Sequence, residues 1–387
     1  MYKIQLLNKI SPNGLDQFPH DMYEYASEIG HPDAMLVRSA DMLSMEIPES
    51  VKAVARAGAG VNNIPVDKCS QKGIVVFNTP GANANAVKEL VIMSLFLSSR
   101  KIIPGIEWTK SLMGRGDEVP KIIEKEKGKF AGPEIMGKKL GVIGLGAIGV
   151  MVANDAVALG MQVAGFDPFI SVDSAWGLSR EVKKAISLDS LIAESDYLTL
   201  HVPQNDKTKG MLNKERFALM KKGMKIMNFA RGGLVINTDL KEAIKKGIVS
   251  SYVTDFPDED LLKTENVIPI PHLGASTPES EENCAVMAVS QLRNFIENGN
   301  IVNSVNFPEC VLPLSGDRRI VIANRNVPSI IGQFTHILAE NKINIADMLN
   351  KSRGEYAYNI IDIDGGINDA AINELKKIEG VIMVRVI

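Results

Sequence analysis

Several short stretches of this chain hold residue types that could do chemistry together. Gly144-Leu145-Gly146-Ala147-Ile148-Gly149 closes the strand-like run from Lys138 to Gly144 and opens a helical pattern from Ala147 to Leu159. Glycines at this spacing allow a tight turn, close approach of a pyrophosphate to backbone N–H groups, and tight packing of helix on strand. Asp167 ends the next strand-like run, Met161 to Phe166, 18 residues beyond Gly149. A carboxylate there hydrogen-bonds ribose hydroxyls and repels a 2′-phosphate, which favours NAD over NADP. The blander reading is a glycine turn in an α/β core with Asp167 as a helix cap.

Hydride transfer from a secondary alcohol to nicotinamide leaves a proton on oxygen, so an imidazole base with an orienting acid is wanted, together with a cation for the substrate carboxylate. His272, in Pro271-His272-Leu273-Gly274-Ala275-Ser276, lies on a loop between a strand-like run and a helix start, where functional groups are displayed. Asp258 and Glu259 follow a strand ending at Phe256. Arg231 follows another strand in Asn228-Phe229-Ala230-Arg231, and its planar fork suits a carboxylate better than lysine would. His201, before Val202 and Pro203, either lines the cofactor crevice or is structural. His20, His31 and His336 read as structural, and without HExxH or HxH no metal site is expected.

Alternating short apolar runs and helical patterns must position these residues. Strands are expected at Ile4 to Leu7, Ala34 to Val37, Ala53 to Ala55 and Ile74 to Phe77, with a helix from Ala84 to Ser99 and a polar connector over 101–137. Beyond Met161 to Phe166 come helix Ser187 to Ala193, strand Tyr197 to His201, helix Lys214 to Leu219, strand Lys225 to Phe229, helix Asp239 to Lys246 and strand Ser251 to Phe256. Ser276-Thr277-Pro278-Glu279 signals a helix start with proline in the first turn, running to about Asn298 before Gly299. After a proline-bearing linker, Phe307 to Gly316, the order is strand 318–325, helix 328–341, strands 344–352 and 356–363, helix 368–378, strand 381–387. That order, βαββαβ, is ferredoxin-like.

The 387 residues carry a formal net charge of -3, which gives no general field for nucleic acid or an anionic membrane. No apolar stretch reaches the roughly 20 residues of a membrane helix. Three scattered cysteines, Cys69, Cys284 and Cys310, fit neither a disulfide framework nor a zinc site, and no signal peptide is read at the start; a cytoplasmic protein is expected.

Taken in order, GLGAIG, Asp167, HVP, NFARGG, the acids before the PH loop, and PHLGAST resemble the D-isomer-specific 2-hydroxyacid dehydrogenases over nearly the first 310 residues. The resemblance implies an α/β fold of two Rossmann-like, doubly wound parallel-sheet domains: a substrate domain of 1–98 and 286–310 and an NAD domain of 99–285. It implies catalysis by Arg231, His272 and Glu259, with Asp258 as the fallback because the acid string Thr254-Asp255-Phe256-Pro257-Asp258-Glu259 departs from the family pattern. Cofactor contacts are expected from Gly144, Gly146, Ala147, Ile148, Gly149, Asp167, His201, Val202, Pro203, Ala230, Asp255, Gly274 and Ala275.

The loops holding Arg56, Ala57, Gly58 and Asn78 resemble those of family members acting on 3-phospho-D-glycerate. That implies substrate contacts from these four residues, from Arg231 and His272, and from Arg38 and Arg56 to the phosphate of a phosphorylated 2-hydroxy acid. Residues 318–387 resemble an ACT domain, with Asn324, Asn326 and Asn344 where L-serine binds in regulated members. A homodimer or homotetramer with no nucleic-acid or membrane partner is implied. The alternatives are a glyoxylate or hydroxypyruvate reductase, a non-catalytic NADH-sensing protein, and an amino-acid sensor.

Overall fold

The computed structural model describes all 387 residues, Met1–Ile387. Short apolar runs build the first sheet: β1 (Tyr2–Leu6), β2 (Tyr23–Ala26), β3 (Ala34–Val37), β4 (Ala53–Arg56) and β5 (Val75–Phe77), parallel in the order β2-β1-β3-β4-β5. Side chains alternate across a strand. Leu36, Ala55 and Phe77 therefore enter one core layer while Met35, Val37, Val54 and Val76 enter another. The helix Pro278–Asn298 covers the first layer through Cys284, Ala288, Leu292 and Phe295. Strand β2 is absent from the sequence reading because only Tyr23 of its four residues is buried, so no apolar run marks this edge.

The second sheet contains β6 (Lys139–Ile143), β7 (Gln162–Phe166), β8 (Lys183–Lys184), β9 (Tyr197–Leu200), β10 (Met224–Asn228), β11 (Val249–Thr254) and β12 (Val267–Pro269). All are parallel, in the order β12-β11-β10-β9-β6-β7-β8. Strand order reverses between β6 and β9, the crevice where doubly wound sheets take ligands. One layer joins Val87, Val91 and Leu95 of the helix Ala84–Ser99 to Val142, Val150, Val163 and Val253; the other joins Ile143, Leu198, Leu200 and Ile226 to Leu191, Phe217 and Leu240. The expected connector over 101–137 instead holds helices Ile102–Lys110 and Val119–Glu126. Neither of these, nor the helix Val172–Gly177, buries a residue: their apolar side chains, such as Ile102, Ile106, Val172 and Trp176, stay exposed, and no core marks the elements.

Two compact units result: Ala84–Thr277, and Met1–Asn83 together with Pro278–Ile387. Their boundaries fall before the helices Ala84–Ser99 and Pro278–Asn298 rather than at 98/99 and 285/286, because each helix buries its apolar face in one unit's core.

The C-terminal strands β13 (Arg318–Arg325), β14 (Asn344–Arg353), β15 (Tyr356–Asp364) and β16 (Val381–Val386) form an antiparallel sheet in the order β14-β15-β13-β16, with helices Ile330–Glu340 and Asp369–Lys377. Ile320, Ile322, Ile361 and Ile363 meet Phe334, Leu338 and Leu375 on the helical face. The opposite face, through Val321, Ala323, Tyr358 and Ile360, shares a core with Phe295, Ile296 and Phe307. The expected linker is accordingly packed: Phe307 and Cys310 are buried, and Cys310 bridges Ile301. Two arginines grip the end of the helix Pro278–Asn298. Arg385 donates to Phe295 O (3.1 Å) and Ile296 O (2.8 Å), and Arg319 to Asn298 O (2.8 Å). Carbonyls at a helix C-terminus lack intrahelical partners and attract cations.

One strained point is testable. Exposed Ser329, at the start of the helix Ile330–Glu340, has φ +66°, a region disfavoured for a residue with a Cβ. Ser329→Gly should stabilise the protein by about 0.5–1 kcal/mol in urea unfolding, the relief of strain exceeding the added freedom of the unfolded chain. An unchanged or lower midpoint would show that the turn carries no strain.

Candidate active site

Within the unit Ala84–Thr277 the candidate residues follow the carboxyl ends of neighbouring strands. After β6, Gly144 turns with φ +91°; a Cβ there would meet His201 O at 2.6 Å, and one on Gly149 would collide with Gly144 O. Glycine is demanded at both. A Cβ on Gly146 would meet nothing within 4 Å, and the helix Ala147–Ala158 that it precedes has no side-chain N-cap. The first-turn N–H groups, among them those of Ala147 and Ile148, thus open on free space, as an anion-binding helix start requires. Asp167, after β7, accepts from Leu145 N and Phe169 N, each at 2.8 Å. Its carboxylate is locked to the turn.

His201 follows β9, its N–H bonded to Ile143 O (2.7 Å) and its Nε2 3.0 Å from Thr199 Oγ1. Burial pushes its imidazole down to about 3, so the ring is neutral. Val202 packs over Gly144, and Pro203 O accepts from Thr208 Oγ1 at 2.6 Å.

After β10 the buried Asn228 shapes the turn that follows. Its Oδ1 accepts from Ala230 N (3.2 Å) and its Nδ2 donates to Arg231 O (3.0 Å) and Tyr252 Oη (3.0 Å). Arg231 is exposed, its guanidinium bonded only to Ala230 O (2.7 Å) and to no carboxylate. After β11 comes Asp255, 3% exposed, with an Oδ1 that has no hydrogen-bond partner. Burial raises its carboxyl above the ordinary range, against the lowering pull of His272, Arg231 and the Gly274 N–H. After β12 comes exposed His272, its ring 4.7 Å from that of Phe256. Phe256 also backs the arginine turn, 3.2 Å from where a Gly232 Cβ would stand. Gly274 leaves room beside Asp255 Oδ2, 3.5 Å from its absent Cβ, and Ala275 follows in the same loop.

Both acids expected to pair with His272 are exposed. Glu259 begins the short helix Glu259–Leu262, is 83% exposed at its side chain and pairs with Lys263. Asp258 caps that helix, accepting from Leu261 N (2.8 Å) and Asn237 Nδ2 (2.6 Å). The carboxylate that feels His272 and Arg231 is Asp255, which sequence reasoning gave to the cofactor. Asn228, Tyr252 and Thr254, bonded to one another beneath these turns, and Phe256 beside His272 carry no sequence signal beyond their place at or near strand ends.

The loops of the other unit stand by themselves. Arg56 Nε donates to Arg38 O (3.0 Å) and Nη1 to Gly60 O (2.5 Å), so this guanidinium underpins the glycine loop. Burial, with neighbouring Arg38, lowers its proton affinity. Ala57 N bonds Val37 O, Gly58 O accepts from Thr79 N, and Asn78 Nδ2 reaches Ala59 O at 2.6 Å. Arg38 is not free: its Nη2 pairs with Glu281 Oε1 at 2.5 Å.

Of the three expected regulatory residues, Asn324 is fully buried. It donates to Arg325 O and accepts from Asn359 Nδ2, both at 2.6 Å. Burial and these bonds across the sheet keep its side chain away from solvent. Asn326 and Asn344 are exposed, donating to Gly354 O (3.3 Å) and Asp364 Oδ2 (2.6 Å).

Comparison with known proteins points to one family. A family profile described as "D-isomer specific 2-hydroxyacid dehydrogenase, NAD binding domain" matches residues 92–274. A D-3-phosphoglycerate dehydrogenase of Archaeoglobus fulgidus is 36% identical over 295 residues, 74% of this chain and 53% of that protein; the chain spans about half the length of this relative. One from Escherichia coli is 32% identical over 368 residues, 91% of this chain and 86% of that protein. The NAD+-bound 3-phosphoglycerate dehydrogenase structure of Entamoeba histolytica superposes with TM-score 0.58 at 25% identity, covering 79% of this chain and 98% of that one. The uncapped helix start and the empty space beside Gly146 fit a dinucleotide, and the cofactor of this domain is NAD. The chain belongs to the D-isomer specific 2-hydroxyacid dehydrogenase family.

Proposed function

We propose that the protein oxidises the C2 hydroxyl of 3-phospho-D-glycerate to 3-phosphohydroxypyruvate, the first step of L-serine formation. The observation that carries this reading is the convergence on buried Asp255 of an imidazole, His272, and an unpaired guanidinium, Arg231, at the carboxyl edge of a dinucleotide sheet. Bound at the Gly144 turn with its ribose on Asp167, NAD supplies the hydride acceptor. His272 takes the hydroxyl proton, and the buried Asp255 carboxylate orients the ring and stabilises the imidazolium. Arg231 holds the substrate carboxylate and polarises the forming carbonyl. Ala230, Gly274 and Ala275 line the nicotinamide end, and Val202 and Pro203 the adenosine side.

In the other unit, main-chain N–H groups of the glycine loop and Asn78 hold the substrate, and Arg38 takes the phosphate. Arg56 supports the loop. The C-terminal sheet is read as an ACT module, with L-serine contacting Asn326 and Asn344. No helix is long and apolar enough to cross a membrane. The three thiols are buried and unpaired, as a reducing compartment keeps them, and a cytoplasmic homodimer or homotetramer is proposed.

The ion pair of Arg38 with Glu281 favours a second reading, a glyoxylate or hydroxypyruvate reductase that needs no phosphate ligand. Arg38→Ala separates the two. On the first reading it raises the Michaelis constant for the phosphorylated substrate about 10- to 100-fold, a lost charge-assisted contact, and leaves that for glyoxylate within about 2-fold. Equal shifts for both substrates would favour the reductase.

A further inference from the structure

We infer that Glu281 sets the preference of this enzyme for phosphorylated substrates by competing with the substrate phosphate for Arg38. The inference rests on the reading of Arg38 as the phosphate ligand. The main chain of Arg38 is fixed: its N–H donates to Asn8 Oδ1 (2.8 Å), and its carbonyl accepts from Arg56 Nε (3.0 Å) and Asn63 Nδ2 (3.5 Å). Only the side chain is left to move. Its guanidinium lies on Glu281 Oε1 at 2.5 Å, with the two side chains 41% and 44% exposed, so water and an incoming anion reach the pair.

Arg56 is close enough for Arg38 to disfavour its charge. The cluster therefore holds two cations and one carboxylate. That carboxylate stands where an anion bound to Arg38 must go, so it occupies the site as a surrogate. A dianionic phosphate on Arg38 with Glu281 left in place would set like charges side by side. Glu281 must swing away. It has somewhere favourable to go, because it lies in the first turn of the 21-residue helix Pro278–Asn298, where the helix dipole stabilises a carboxylate without Arg38. An unphosphorylated 2-hydroxy acid leaves the pair intact and meets no such competition. The penalty thus falls on phosphorylated substrates alone, and it is modest because partly exposed ion pairs are weak.

The test is the ratio of Michaelis constants for 3-phosphohydroxypyruvate and hydroxypyruvate, measured with NADH on wild type, Glu281→Gln and Arg38→Ala, with thermal melts to verify folding. Glu281→Gln should lower the ratio about 3- to 10-fold, the range set by a weak, partly exposed pair. If that variant melts early, Glu281→Ala, which removes the competing carboxylate and keeps a good helix former, gives the same readout. A ratio that stays constant or rises overturns the inference. A ratio unmoved by Arg38→Ala would overturn the phosphate reading itself, so the two failures are told apart.

Discussion

Replacing His272 with Asn should lower kcat by about 10²- to 10⁴-fold, the range for loss of a positioned acid–base group, while NAD binding persists. Asn keeps a polar side chain of similar size but takes no proton from the C2 hydroxyl. The dinucleotide turn around Gly144 and Asp167 is built on other strands, β6 and β7, so calorimetric titration with NAD should give an affinity near that of wild type. Unaltered turnover would end the assignment. Two companion variants identify the orienting acid. Asp255→Asn should cost much of the same factor, since Asp255 is buried and acts electrostatically on His272. Glu259→Gln should cost little, since Glu259 is exposed and paired with Lys263. The reverse result would mean that substrate binding draws Glu259 inward to the imidazole.

The second large effect is on stability. Arg319 and Asp362 form a buried fork, Nε to Oδ1 at 2.6 Å and Nη2 to Oδ2 at 2.8 Å, with side chains 2% and 0% exposed. Ser315 N also donates to Asp362 Oδ2 at 3.0 Å. Asp362→Ala should cost about 3–5 kcal/mol in urea unfolding, because it strands a buried guanidinium rather than because the pair is strongly stabilising. Replacing both partners together, Arg319→Met with Asp362→Leu, should recover most of the loss. If the single and double variants lose equal stability, the penalty belongs to packing, not to the orphaned charge. Burial alone would raise the Asp362 carboxyl, yet the bonds from Arg319 and Ser315 outweigh it and hold the group below the ordinary carboxylate range. Its contribution is therefore present above the unfolded carboxylate pKa, near 4, and is lost as pH falls through the lower folded value. The Asp362→Ala protein should show a shallower decline of stability in acid.

Much of this was legible from local pattern. Runs such as Ala34–Val37 and Lys225 to Phe229 read as buried parallel strands because both faces of each sheet are covered. The C-terminal βαββαβ order was legible because each element carries its own apolar period. Elements that bury nothing or almost nothing, such as Ile102–Lys110, Val172–Gly177 and β2, carry only a few apolar residues within one or two turns, too short a pattern to mark them.

By itself, the sequence determined the dinucleotide turn and marked His272 and Arg231 as the candidates for base and cation. Glycine spacing and strand–helix order act within about 30 residues, and local chain geometry alone converts them into a site. The tertiary structure alone decided which acid of the string from Asp255 to Glu259 is buried, which anion holds Arg38 and what the C-terminal sheet covers. Asp255 and Glu259 are four residues apart in one acidic string, and the choice between them depends on where β11 ends and which way the next turn of helix points. Arg38 and Glu281 come from distant parts of the chain and meet only when the helix Pro278–Asn298 lies across the first sheet; Arg385 meets Phe295 only when the C-terminal sheet packs against the end of that helix. Burial then separates a charge held by its neighbours from one left to water, and residue spacing along the chain carries no record of it.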